Sequence, residues 1–299
     1  KRKQDWEFLL RPNQGPVRIE VEGPRDDRFS RMWVFLAAAS GRAFQLSPVT
    51  LNDPLFEIMK ACNQAGGSFY WEQDRVLFRG GGQLDFDATT VFSGQDPFNL
   101  YLLLFLAARR PCVCRFSGGS RLKLIDLRPV ETLLRDLGAR MVSLVPGSHG
   151  LPLRLESGGQ AVENMSIPSE TSEDMLEALV LALAATLEPG ASMRLQFTDN
   201  ASPSFQLPRT SAVLEACGAW FEPGSRDLSM RGGSLTIPEH LDPPLDPLLS
   251  GYLLGMAYVS RGQTRLYGRY PMEVPEAGAV LRLFKELGLE VRVGSTEIQ

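Results

Sequence analysis

The sequence predicts an α/β (α+β) chain folded as an inside-out barrel of repeated βαβαββ units, with helices buried and sheets facing solvent. Three observations carry this. A Gly-small element closes a helical run four times, at Gly66, Gly138, Gly218 and Gly288, roughly 70 to 80 residues apart. The stretches "MWVFLAAA" and "LYLLLFLAA" have no polar face, the pattern of a helix buried on every side. The strands alternate, as in Val17-Arg18-Ile19-Glu20-Val21-Glu22, so each keeps one solvated face. One unit cannot cover such a helix alone, and several must close around a shared core.

Each unit opens on a short strand: "VRIEVEG", "QLDFDA", "ENMSIP" and "SLTIPE". A polar turn and an Ala/Leu-rich helix follow, over residues 29–39, 97–108, 171–187 and 247–260. Then come a strand ("AFQLSP", "CVCRFSG", "SMRLQFT", "TRLYG") and a second helix ending at the repeated glycine. Glycine takes the left-handed conformation cheaply and so caps the helix C-terminus. Two further strands end on a glycine pair in three units, Gly80-Gly81, Gly158-Gly159 and Gly232-Gly233. These boundaries divide the chain into a leader (1–16), a three-repeat domain (17–234) and a fourth repeat that starts a second domain (235–299). Three units can close one pseudo-threefold core, which leaves the apolar helix of the fourth without cover. The fourth repeat is therefore expected to pack on the first domain, to pair with another protein chain, or to continue into a missing second domain.

Composition excludes several classes. At 43% hydrophobic and 22% charged, with a net charge of -4, the chain lacks the basic face of a nucleic-acid binder. The longest apolar run, Leu100 to Ala108, ends in Arg109-Arg110 and falls far short of the roughly 20 residues a membrane span needs. No apolar signal core follows the opening "KRKQDWEF", and with no initial Met the chain is expected to be a fragment or a processed chain. Cys62, Cys112, Cys114 and Cys217 are scattered and read as reduced, buried thiols of a cytoplasmic protein. With only His149 and His240 present, a zinc site and a Cys–His or Ser–His nucleophile have little to draw on. Neither a metal nor a cofactor is expected.

The order and spacing of several motifs resemble the enolpyruvyl transferase family, which includes the 5-enolpyruvylshikimate-3-phosphate (EPSP) synthases. "EGPRDDRFSRMWVFLAAAS" is similar to P-G-S-K-S-x-x-x-R-x-L-x-x-A-A-L-A. "LSPVTLNDPLFEIMKACNQAGG" resembles L-x-x-x-L-x-S-x-D-x-x-x-x-x-x-A-L-x-x-L-G. "GGSRLKLIDLRPVETLLRDLGARM" resembles G-x-x-x-L-x-x-R-P-x-x-x-L-x-x-x-L-x-x-L-G-A, and "GYLLGMAYVSRGQTRLYG" the fourth unit's first helix and strand. The resemblance implies six units in two domains, about four of which this chain covers. The family's K-E-x-x-R segment belongs to the part not covered. The nearest local string, Met272 to Glu276, keeps one carboxylate and neither cation.

The family reaction adds a substrate hydroxyl to phosphoenolpyruvate and expels phosphate, so its site needs Lys and Arg for the anions and an acid and base for the methylene carbon. In the first motif Arg31 falls on the family's arginine, but Asp26-Asp27 fall on its Lys-Ser, a reversal of sign where an anion should sit. Arg25 and Arg28 flank that position and are candidate replacements. The acids equally suit a helix start, where they accept N–H bonds. The phosphoenolpyruvate turn G-N-A-G-T-A-x-R aligns with "SGQDPFNLY", placing Leu100 on the arginine and Asp96-Pro97 in the turn. The S-S-Q motif aligns with Ser172-Glu173-Asp174, and Thr171-x-x-Asp174 also reads as a capping box. Ser202-Pro203-Ser204-Phe205 resembles S-K-P-Y without its lysine. Arg121 and Lys123 lie where the family carries basic residues, Arg128-Pro129 resembles its R-P pair, and Asp246 matches an acidic position.

The candidate substrate-binding residues are thus Arg25, Arg28, Arg31, Arg121, Lys123, Ser172 and Ser204, facing a phosphorylated small molecule. No catalytic residue is identified. The resemblance with these substitutions implies an EPSP synthase-like protein that keeps the fold, loses enolpyruvyl transfer and acts in binding or assembly. The alternative is an active enolpyruvyl (carboxyvinyl) transferase using phosphoenolpyruvate and a hydroxyl acceptor such as shikimate 3-phosphate. Trp33 and Trp220 are expected in the core.

Overall fold

A computed structural model describes residues 15–198 and 207–299 and shows a mixed α/β fold. Among the described residues the helices are α1 (Asp27–Ser40), α2 (Asp53–Gln64), α3 (Pro97–Ala108), α4 (Arg128–Asp136), α5 (Glu173–Thr186), α6 (Pro208–Ala216), α7 (Pro247–Ser260) and α8 (Pro275–Glu286). The strands begin with β1 (Arg18–Glu22), β2 (Phe44–Leu46), β3 (Phe69–Glu72), β4 (Arg75–Phe78), β5 (Thr90–Phe92), β6 (Pro111–Ser117), β7 (Ala139–Ser143) and β8 (Leu153–Gly158). They continue with β9 (Asn164–Ile167), β10 (Ser192–Phe197), β11 (Trp220–Pro223), β12 (Asp227–Arg231), β13 (His240–Leu241), β14 (Gln263–Tyr267) and β15 (Glu297–Ile298).

The chain forms two compact units. One combines the described part of Lys1–Asp26 with Pro244–Gln299, and the other is Asp27–Pro243. The sequence-based partition places its breaks after residues 16 and 234 instead. Two strands make the difference. β1 runs parallel to β14, with Arg18 opposite Gln263 and Glu22 opposite Tyr267. β13 runs parallel to β2, with His240 opposite Gln45. The earliest strand thus joins the last residues, and β13 joins an early sheet.

The larger unit holds three four-stranded sheets, ordered β13-β2-β4-β3, β5-β6-β8-β7 and β9-β10-β12-β11. Each pairs its first two strands in parallel and the rest antiparallel. Strand β6 alternates exposed and buried positions from Pro111 to Phe116, as a strand with one wet face must. The helices behave in the opposite way. Every residue is buried from Phe29 to Ala39 in α1, from Phe98 to Ala108 in α3 and from Met175 to Ala184 in α5. α3 packs along α5, and α1 against both. Each fully buried Leu or Phe there contributes about 1.5–3 kcal/mol.

Local chemistry fixes the helix ends. Asn52, Asp96 and Ser172 accept N–H bonds from Leu55, Phe98 and Met175 respectively. Gly66, Gly138, Gly218 and Gly288, each just past a helix, all have positive φ, between 71° and 93°. Two expected strands are absent. In "QLDFDA" Asp85 accepts from the N–H of Asp87, Thr89 donates to the carbonyl of Phe86, and Ala88 takes φ 53°, so the segment turns. "SLTIPE" is irregular, and the strand follows it as β13. Trp33 is buried, but Trp220 is 39% exposed under the guanidinium of Arg231, which corrects its expected place in the core.

The smaller unit has one three-stranded sheet, β1-β14-β15, with α7 and α8. Its core is Leu245, Leu254, Leu266, Tyr270, Ala277, Val280, Phe284 and Ile298. Asp246 caps α7 by accepting from the N–H of Leu249. No helix among the described residues is long and apolar enough to cross a membrane.

Candidate functional site

In the larger unit, one cluster gathers the charges that the apolar helices carry. Arg31 lies in the second turn of α1, with only 7% of its side chain exposed. Its Nη1 donates to Asp96 Oδ1 at 2.8 Å and to Asn99 Oδ1 at 3.1 Å. Its Nε lies 2.7 Å from Asp27 Oδ2, an ion pair one helical turn apart without hydrogen-bond alignment. Asn99 is fully buried and donates its Nδ2 to the carbonyl of Pro54. Asp96 serves two roles, capping α3 through the N–H of Phe98 and neutralising Arg31.

Arg28 is held from the α5 side. Its Nε donates to Glu177 Oε2 at 2.9 Å and its Nη2 to Asp174 Oδ1 at 2.7 Å. The guanidinium lies over the Phe98 ring, 3.2 Å from its centroid, where the ring's negative face attracts a cation. Glu177 is buried, and its other oxygen accepts from Thr210 Oγ1 at 3.0 Å in the first turn of α6. Tyr101 stands in the same neighbourhood. Burial pushes its phenol up to about 12, and the negative charges of Asp174 and Asp96 add to that. Two arginines thus meet four carboxylates: Asp27, Asp96, Asp174 and Glu177.

The other sequence candidates fall elsewhere. Arg25 belongs to the smaller unit, where its Nη2 donates to Glu22 and its Nη1 to the carbonyl of Tyr267. Ser172 caps α5 through Met175. This corrects the expected capping box, because Thr171 Oγ1 is buried without a hydrogen-bond partner among the described residues. Arg121 and Lys123 flank a short 3-10 turn (Leu122–Leu124) and are exposed. The Arg121 backbone nevertheless donates to Gln95, beside the α3 cap. Arg128 pairs with Asp126 on the surface. Ser204, with the rest of its S-K-P-Y-like segment, lies outside the described residues.

Sequence reasoning passed over Phe98, Asn99, Tyr101, Glu177 and Thr210. One signal for Glu177 was present: a lone acid inside "MLEALVLALAA". An acid in a helix buried all round needs a cationic partner.

No family model matches the sequence. No curated protein matches it either. Among solved structures, the likeness is to enzymes of the enolpyruvyl transferase class, and the chain has an enolpyruvyl transferase-like fold. The similar structures are of EPSP synthase from Acinetobacter baumannii. One superposes with a TM-score of 0.76 at 15% identity, the other with 0.74 at 16%. Each comparison covers 96% of this chain and 65% of the solved one. The chain therefore spans about two thirds of the length of these structures, and at such identity the likeness defines the fold alone.

Proposed function

We propose that this is an EPSP synthase-like protein in which the fold persists as an inside-out assembly of repeated units while enolpyruvyl transfer has been lost, leaving a role in binding or assembly. One observation carries the reading. Arg28 and Arg31 already hold four of the chain's own carboxylates. A phosphate arriving there must displace Asp96, Asp174 or Glu177 and endure repulsion from those that stay. Asp27 and Asp96 stand at positions where the resemblance places a serine and a phosphate-binding turn, and Pro97 removes a backbone donor. A protein partner or a phosphorylated small molecule bound outside this cluster is the expected ligand.

The test is turnover. The protein is incubated with phosphoenolpyruvate and shikimate 3-phosphate, then with phosphoenolpyruvate and UDP-N-acetylglucosamine, and phosphate release is followed. Release at background, with no heat of binding for either anion, is expected. Turnover above background would replace this reading with the active transferase, which the exposed cations Arg121 and Lys123 favour.

A further inference from the structure

The sheets of the larger unit carry arginines on their solvated faces, and two of the three sheets compensate them within the chain. On the sheet β9-β10-β12-β11, Arg194 pairs with Asp227 at 2.6 Å and Arg231 lies over the Trp220 ring. On the sheet β13-β2-β4-β3, Arg75 stands 4.0 Å from Asp74, and Arg79, just past β4, lies over the Tyr70 ring. The sheet β5-β6-β8-β7 differs. The charged residues at the outward positions of its strands are Arg115 on β6, Arg154 and Glu156 on β8, and Arg140 on β7. Glu156 sits 3.0 Å from Arg154. Arg115 and Arg140 have neither a carboxylate nor a ring as partner among the described residues.

Register makes this arrangement costly. Arg115 lies directly opposite Arg154 across β6 and β8, and Glu156 lies opposite Val113 on one side and Arg140 on the other. Arg115 donates its N–H to the carbonyl of Thr89, on the β5 side. It therefore faces Arg154 at a site where β6 and β8 exchange no hydrogen bonds. Facing side chains come closest at such a site, with Cα atoms about 4.5 Å apart. Like charges directly opposite one another destabilise a sheet. One glutamate thus answers three arginines. Two aliphatic side chains stand beside them: Val142, opposite Arg154, is 40% exposed, and Val113, the next outward residue from Arg115, is 42% exposed. Asp87 borders the face by accepting the N–H of Val113, and it leaves Arg115 unpaired.

We propose that the solvated face of the sheet β5-β6-β8-β7 docks an acidic segment of a partner protein, which sets carboxylates between Arg115 and Arg154 and lays apolar side chains on Val113 and Val142. Charge complementarity selects this chemistry. Three cations against one anion attract a negative partner, and the guanidinium fork takes a carboxylate through two hydrogen bonds. A carboxylate placed between the two arginines also removes their repulsion, so binding relieves a cost that the free protein carries. The valines favour a protein segment over inorganic phosphate, which has no apolar surface to offer them. The chain's net charge of -4 disfavours a nucleic acid, whose charge extends beyond one face.

The inference stands whether or not the protein catalyses enolpyruvyl transfer. Its test uses the whole chain and a fluorescein-labelled nine-residue peptide that alternates Glu and Val, followed by anisotropy at low salt. Saturable binding is expected. Arg115→Gln or Arg154→Gln should weaken it at least tenfold, and Arg194→Gln, at the compensated arginine of the neighbouring sheet, should change it less than twofold. All three arginines are exposed, so these substitutions leave the core untouched. A peptide alternating Gln and Val should bind at least tenfold more weakly than the acidic one. No saturable binding, or equal binding by every variant, would overturn the proposal. So would tighter binding of a labelled oligothymidylate through the same two arginines, which would make the partner a nucleic acid. Self-association of the unmixed protein in sedimentation, abolished by Arg115→Gln, would overturn it too, because the occupant would then be a second copy.

Discussion

Helix α3 buries every side chain from Phe98 to Ala108, whereas α7, nearly as apolar, buries only Pro247, Ser250 and Leu254. On α7 Leu248 is 56% exposed, Tyr252 76% and Val259 85%. The two segments have matching sequence character, so composition cannot explain the difference. Neighbours do. α3 lies among α1, α5 and the sheet of β6 and β8, while α7 has α8 and β14 on one side. An all-apolar helix states a demand for cover, and the surrounding units decide whether it is met. The first test of this contrast is truncation. Phe105→Ala in α3 should cost about 3–5 kcal/mol through lost transfer energy and a residual cavity. Met256→Ala on α7 should cost under about 0.5 kcal/mol. Urea midpoints measure both, and a Phe105 cost below that of Met256 would reverse the contrast.

Charge follows the same division. In the larger unit Arg28 is enclosed by Glu177, Asp174 and the Phe98 ring. In the smaller unit Arg292 pairs with Glu290 in water, both more than two-thirds exposed. Glu177→Gln keeps the shape but removes the charge from a buried pair, and should cost about 2 kcal/mol with Asp174 left as partner. Glu290→Gln should change stability by less than about 0.5 kcal/mol, as exposed pairs do. If the proposed function holds, Glu177→Gln combined with Asp96→Asn also restores a measurable phosphate affinity, read by calorimetry.

The aromatic hydroxyls sharpen the comparison by pH. Burial, with Asp174 and Asp96 adding, pushes Tyr101 up to about 12. In the unfolded chain a tyrosine titrates near 10. Between those values the unfolded state holds fewer protons, so stability falls as pH rises through the window. The slope is up to about 1.4 kcal/mol per pH unit for one group, and the full contribution is present below pH 10. Tyr270 of the smaller unit, pushed up to about 12 mainly by burial, adds its own slope. Tyr101→Phe should remove one share of the loss and leave that of Tyr270 in place. Denaturation midpoints from pH 9.5 to 11.5 decide it.

Much of this was legible in the sequence because periodicity and capping are local. The ends of α3 and α7 coincide with the predicted 97–108 and 247–260, since Asp-Pro marks each start. The exchange of β1 and β13 was not legible. Strand pairing is set by register and neighbours rather than by composition, so "VRIEVEG" reads the same whichever sheet it joins. The site was half legible. Asp26-Asp27 announced a sign reversal, but nothing local told that Asp174 and Glu177, some 146 and 149 positions away, would close on Arg28. Only the incongruity of an acid in an apolar helix pointed there.

The smallest expected effect bears most directly on α7. Tyr252→Lys and Val259→Lys lie on one helical stripe with Leu248 and Met256. If that stripe is bare in solution, a lysine there loses no packing, its charge stays hydrated, and stability should move by less than about 0.5 kcal/mol. A contiguous apolar stripe also favours self-association, so the same lysines should lower the sedimentation coefficient of any dimer-forming sample toward the monomer value. A monomeric parent with a lysine cost above about 1.5 kcal/mol would show that the chain itself covers α7. That result would end the contrast with α3, because both helices would then be interior and the demand for cover written in their sequences would be met within one polypeptide.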